Sequence, residues 1–246
     1  MSGHNKWSTI KRKKGAIDAK RSKIFSKLAK EISIAVKEGG GIDSDYNSKL
    51  RIAIQNAKGV NMPKDNIERA IKKGDTDGAN FSEITFEGYA PHGIAVFVEC
   101  LSDNNNRTVS SVRSAFNRFS GSLGTNGSLS FLFTRKGVFE IPITEIKNFD
   151  DFELEIIDAG AEDIETEDEN VTVTCALEDF GNLNKKLEEL KINSSNAELR
   201  RIPTDTKSIP TSEAKTVLKL IDFLEDDDDV QNVFHNMELT EEMFEE

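Results

Sequence analysis

The chain has 246 residues, 31% of them charged and 37% hydrophobic, with a formal net charge of −12. No stretch approaches the ~18–20 consecutive apolar residues that a membrane span needs. The first residues, MSGHNKWSTIKRKK, are basic but carry no apolar stretch of a secretory signal, and the two cysteines, Cys100 and Cys175, sit in apolar runs that suit reduced core thiols of a cytoplasmic protein.

Residues 1–16 read as a basic arm with little apolar periodicity. A helix is predicted over about 17–38, with Ile24, Phe25, Leu28, Ile32, Ala35 and Val36 on one face. Lys20, Lys23, Lys27 and Lys30 fall on the roughly opposite face, a rail about three turns long. Gly39-Gly40-Gly41 ends it. Two more helices follow over about 47–58 and 63–73, the second opening on Pro63 and stopping before Gly74. Residues 75–83 read as a linker.

The pattern then changes. Residues 93–101 (GIAVFVECL) form a buried strand, 107–119 a helix and 128–134 (SLSFLFT) a further strand. Residues 137–202 read as a unit of their own: strand 138–142, helix 149–159, strands 163–166 and 171–176, helix 180–190, strand 197–202. That βαββαβ order is the ferredoxin-like pattern. A helix over 211–224 and a strand over 230–234 close the chain. The simplest partition is a basic helical domain with linker over 1–83, a discontinuous α+β domain of 84–136 plus 203–246, and an inserted βαββαβ domain over 137–202. The fold class expected is therefore multidomain α+β, an N-terminal helical domain followed by two ferredoxin-like domains, one inserted in the other.

Charge is distributed unevenly. Residues 1–74 hold 18 Lys and Arg against 7 Asp and Glu, a formal +11; the remainder holds 14 against 37, or −23. A split this large points to a polyanion-binding portion on an acidic body, which narrows contact to one face. The candidate phosphate contacts are Lys6, Lys11, Arg12, Lys13, Lys14, Lys20, Arg21, Lys23, Lys27 and Lys30. Lysine and arginine bind phosphates partly by releasing condensed counterions, so salt weakens such binding steeply. Trp7, the only tryptophan, either stacks on an unpaired base or anchors the arm. Arg107 and Arg113, near a strand-to-helix junction, suit a phosphate or a carboxylate, while Asp103 or Asn104 suits helix capping.

Other motifs point away from chemistry. The run 225–229 (EDDDD) lacks the alternating ligands and sharp glycine turn of a calcium loop and reads as a solvated acidic loop. Gly121, Gly124 and Gly127 lead into a strand and precede no Lys-Ser/Thr, so they mark a turn rather than a phosphate-binding loop. His4, His92 and His235 lie in separate segments, and no HExxH, GxSxG or CxxC motif occurs. No enzyme activity, cofactor or metal is expected. The helices at 47–58 and 63–73 superficially suggest a helix-turn-helix, the second offering Lys64, Asn66, Arg69 and Lys72 outward, but helical hairpins are mostly packing devices.

Several long blocks, in this order, resemble the YebC/PmpR family of bacterial regulatory proteins. They are GHNKWSTIKRKKGAIDAKRSKIFSKLAKEI at 3–32, NMPKDNIERAIKKG at 61–74, FEGYAPHGIAVFVE at 86–99, DNNNRTVSSVRSAF at 103–116, DAGAED at 158–163 and LIDFLEDDDDVQNVFHN at 220–236. The resemblance implies a three-domain fold, no enzymatic activity, and DNA-binding regulation of transcription; the family's mitochondrial branch implies translation, through the ribosome or messenger RNA. Asn105 stands where the family usually has Arg, His92 where it has Gly, and Ser122 where Asn is common. Two readings stay open: a DNA-binding transcriptional regulator, and a translation factor on ribosomal or messenger RNA. A third class is a scaffold whose cleft binds a peptide. No heptad seam is visible, so a monomer is expected.

Overall fold

The computed structural model describes residues 17–77, 81–167 and 169–244. Among them the elements in chain order are α1 (Ile17–Glu38), α2 (Ser48–Gly59), α3 (Lys64–Asp77), β1 (Ser82–Ala90), β2 (Ile94–Ser102), α4 (Asn105–Arg118), β3 (Ser122–Leu123), β4 (Phe133–Pro142), α5 (Phe149–Asp158), β5 (Ala161–Glu167), β6 (Asn170–Ala176), α6 (Phe180–Leu190), β7 (Asn196–Pro203), α7 (Thr211–Glu225) and β8 (Val230–His235). The fold is α+β, with two four-stranded sheets. The described residues divide into two compact units: 17–27 with 81–134 and 202–244, and 28–77 with 135–167 and 169–201.

In the first unit the strand order is β3-β1-β2-β8. β1 and β2 form a long antiparallel hairpin, from Ser82 opposite Ser102 to Ala90 opposite Ile94, closed by Pro91-His92-Gly93 with positive φ at His92 and Gly93. α4 and α7 cover one face: Val112, Ala115 and Phe116 of the first and Ala214, Val217, Ile221 and Leu224 of the second pack on Ile94, Val96, Val98 and Cys100. Ala95 and Phe97 point the other way and are buried beneath Leu129, Phe133 and Phe234. Both faces of β2 are therefore dry, which is why its sequence is a continuous apolar run instead of an alternating one.

Sequence periodicity misses β1 and misplaces the strand expected at 128–134. β1 hides because both its faces are buried at its middle, and two of the residues buried there are Glu87 and Gly88. The Glu87 carboxylate accepts from the amides of Gly127 (2.7 Å) and Leu129 (2.5 Å), and its carbonyl from Gly124 (2.7 Å). Those three bonds turn the 124–129 segment back on itself. A short 3-10 turn at Ser130–Leu132 follows, and the real strand, β4, starts at Phe133. The order β3-β1-β2-β8, with a hairpin at its centre, also differs from the ferredoxin-like order expected for this sheet.

The second unit holds the βαββαβ segment, with strand order β5-β6-β4-β7, the ferredoxin-like arrangement. Phe139, Ile141, Val171, Val173 and Cys175 of the sheet pack on Phe152 and Ile156 of α5 and Leu183 and Leu187 of α6. β7 is an edge strand, and α2 covers it. Asn56 of α2 donates to the Ala197 carbonyl (2.9 Å) and accepts from its amide (2.8 Å), so a side-chain amide stands in for a neighbouring strand. Gly59 lets the helix end approach: a β-carbon there would lie 1.8 Å from the Ser195 carbonyl oxygen. α3 continues through Gly74 to Asp77, past the expected stop. Gly74 is buried against α1, where a β-carbon would meet the Ser33 carbonyl oxygen at 2.6 Å. This glycine serves helix packing, not helix termination.

Candidate nucleic-acid interface

α1 forms because 22 residues rich in Lys, Ile and Ala contain neither Gly nor Pro. Its end is fixed from outside. The Asn47 amide donates to the carbonyls of Ala35 (2.7 Å) and Gly41 (2.8 Å), while its carbonyl oxygen caps the start of α2 at the Leu50 amide. Leu28, Ile32, Ala35 and Val36 are buried, so the apolar stripe is used where predicted from Leu28 onward. Ile24 is exposed, and Arg21 lies with its guanidinium carbon 5.5 Å from the Phe25 ring centre.

Of the candidate contacts, Lys6, Trp7, Lys11, Arg12, Lys13 and Lys14 lie outside the described residues, as does the side chain of Lys20. Arg21 is exposed on α1, and Lys23, Lys27 and Lys30 are half-buried. Lys23 and Lys27 do not stand as a rail open to solvent. The Lys23 ammonium lies 2.7 Å from Asp226 Oδ1 and 3.1 Å from the Asp226 carbonyl oxygen; Lys27 donates to the Glu225 carbonyl at 3.1 Å. Both lysines thus sit at the C-terminal end of α7, where unsatisfied carbonyls and the helix dipole favour a cation.

The strand-to-helix junction 102–108 is a closed polar network. Asn104 caps α4, accepting from the Arg107 amide at 3.1 Å. Arg107 donates through Nη2 to Asp229 (2.7 Å) and to Asp103 (2.9 Å). Asp229 is buried and also accepts from the hydroxyls of Ser102 and Thr108, each at 3.0 Å. Hydrogen bonding to Asp229 first, and to Asp103 second, raises the Arg107 pKa above its ordinary value. Arg107 is therefore held by carboxylates, and the capping role of Asn104 is realised. Arg113 is exposed on the same helix. Asn105, in the place of the expected Arg, accepts from Ser82 Oγ at 2.8 Å and ties β1 to the network.

The segment 225–229 is accordingly more than a solvated loop: Asp226 and Asp228 are exposed, while Asp229 is buried. Asp227 accepts from Ser111 Oγ and from the Asp229 amide, Asp229 neutralises Arg107, and Asp226 meets Lys23. Sequence reasoning missed Asp226 because its partner is 203 residues away and no local pattern marks it. Among the described residues no group of three or more His, Cys, Asp and Glu is placed to hold a metal ion, and no helix is long and apolar enough to cross a membrane. Burial first, and the carboxylates of Asp227 and Asp229 second, push the Cys100 thiol up to about 12, so it is protonated and inert at neutral pH.

Two family models match the chain: the TACO1/YebC N-terminal domain over residues 5–77 and the TACO1/YebC second and third domain over 81–237. A probable transcriptional regulatory protein of Amoebophilus asiaticus is 50% identical over 96% of this chain and 98% of its own length. One of Borrelia turicatae is 49% identical over 99% and 100%. The crystal structure of a conserved hypothetical protein from Aquifex aeolicus, 41% identical, superposes with a TM-score of 0.82 over 95% of this chain and 97% of that one.

Proposed function

The chain belongs to the TACO1/YebC family, and we propose that it is a non-enzymatic, cytoplasmic regulator of gene expression that grips the phosphate backbone of a nucleic acid with its basic N-terminal region. The observation that carries this reading is the charge split, +11 over residues 1–74 against −23 over the rest. The phosphate contacts assigned are Lys6, Lys11, Arg12, Lys13, Lys14, Lys20, Arg21, Lys23, Lys27 and Lys30, with Trp7 and Arg113 as secondary contacts. Arg107 is the weakest member of the set, since a phosphate would have to compete with buried Asp229. That relatives are called probable transcriptional regulatory proteins supports regulation of transcription, and duplex DNA is the target this reading proposes.

A second reading, a translation factor bound to ribosomal or messenger RNA, draws support from one feature of the fold. In the helix pair that suggests a helix-turn-helix, α2 spends Asn56 on the edge of β7 and Gly59 on Ser195 just before it. That is a packing commitment, and it favours recognition of backbone over base edges.

The test is charge reversal of the arm. Lys11, Arg12, Lys13 and Lys14 replaced together by Glu should abolish binding to duplex DNA and to single-stranded RNA with the melting temperature unchanged. Full affinity in the purified variant sinks the arm as the contact. Sedimentation of a lysate with and without nuclease separates the two readings: co-migration with ribosomal subunits, lost in the variant, selects translation, and retention on a DNA column at physiological salt selects transcription.

A further inference from the structure

We propose that the C-terminal end of α7 is an internal competitor for the phosphate-binding lysines of α1, so that a nucleic acid engages Lys23 and Lys27 only by displacing it. This rests on the basic region binding phosphate and adds how that site is restrained. The oxygens that the end of α7 turns toward the two ammonium groups include Asp226 Oδ1 at 2.7 Å and Asp226 O at 3.1 Å from Lys23, and Glu225 O at 3.1 Å from Lys27. That set of oxygens resembles what a phosphodiester offers the same lysines. It is delivered by the negative end of a 15-residue helix whose packing against the sheet fixes it in place.

The contact is strong enough to occupy the lysines and weak enough to exchange. The Lys23 and Asp226 side chains are 40% and 70% exposed, and ion pairs of that exposure are readily screened by salt and by competing anions. A polyphosphate backbone, with its higher charge density, is such a competitor. The arrangement predicts a particular salt behaviour. A lysine that exchanges one anion for another releases few counterions, so Lys23 adds little to the salt dependence of binding until Asp226 is removed.

The measurement is the affinity for a fluorescein-labelled oligouridine across a salt series, in the full chain. Asp226→Asn and Asp226→Ser should each bind several-fold tighter than the unmodified chain. Their log–log salt dependence should steepen by up to about 0.7, the increment for one further phosphate contact on a single strand. In a Lys23→Gln background the same substitutions should change nothing. Unchanged affinity for both Asp226 variants overturns the proposal. So does an equal gain with and without Lys23, which would make Asp226 a source of general repulsion instead of an occupant of the lysine. If the unmodified chain and its Asp226 variants all fail to bind oligouridine and duplex DNA, the phosphate-binding reading itself falls; binding that the arm reversal abolishes, together with Asp226 variants of unmodified affinity, leaves that reading standing and removes only this one.

Discussion

Three of the least exposed charges among the described residues are answered by named hydrogen-bond partners, and each answer does something local. Glu87 fixes the 124–129 turn, Asp229 ties the start of α4 to the end of α7, and Arg200 joins two strands of the second sheet. Arg200 donates to Glu140 Oε1 (2.8 Å) and Glu198 Oε1 (2.6 Å). Burial opposes its charge, but the two carboxylates, Glu198 ahead of Glu140, outweigh that and raise its pKa. Removing Arg200 takes the guanidinium away from the buried Glu140 carboxylate. Arg200→Met should therefore cost ~3–5 kcal/mol in urea unfolding, whereas Arg200→Met with Glu140→Leu and Glu198→Leu should cost far less or nothing. Equal losses in the single and triple variants would contradict this account.

The thiols make a second prediction at this scale. Cys100 is raised to about 12, by burial and then Asp227 and Asp229; Cys175 to about 11, by burial and then Asp179 and Glu162. Both folded values exceed the ordinary 9.0, so the unfolded chain loses these protons first as pH rises. Stability from this source is intact below pH 9 and lost between about 9 and 12. A thiol reagent at pH 8 should label neither cysteine until denaturant is added, and the urea midpoint should decline above pH 9. Rapid labelling of the native chain would show that the thiols are not sealed in their cores.

Among the elements, the helices were legible and the glycines were not. The boundaries of α2, α5, α6 and α7, and the end of α1, are within about one residue of those that periodicity predicts, because each helix buries one apolar stripe. Gly74 reads as a stop signal in sequence yet lies inside α3, since its value is a close approach to Ser33 that only the packed structure creates. Gly59 is the same case, and it inverts a familiar expectation. Replacing a helical glycine by alanine ordinarily stabilises by up to ~1 kcal/mol. Gly59→Ala should instead destabilise, because its methyl would stand 1.8 Å from the Ser195 carbonyl oxygen. Asn56→Leu should cost ~2–4 kcal/mol by orphaning both main-chain groups of Ala197 at a covered sheet edge. A Gly59→Ala variant with a raised melting temperature would show that α2 does not press on β7.

At the scale of the whole molecule, the sequence determined the charge split, the α+β fold and nearly every helix, because these follow from quantities that are local or additive. Charge counts sum along the chain whatever its shape, and apolar periodicity records which stripe of a helix is buried. The family blocks, whose resemblance the TACO1/YebC matches establish, are likewise a linear property. What only tertiary structure decided is which charges are spent. Lys23 and Asp226 are 203 residues apart, Arg107 and Asp229 are 122 apart, and nothing in either neighbourhood specifies the meeting. β1 escaped for the same reason: the fitness of Glu87 for a buried position exists only once the amides of Gly127 and Leu129 are folded over it. A carboxylate is a strand-breaking surface residue in sequence and a clamp in three dimensions, and the difference lies entirely in the donors that the rest of the chain delivers.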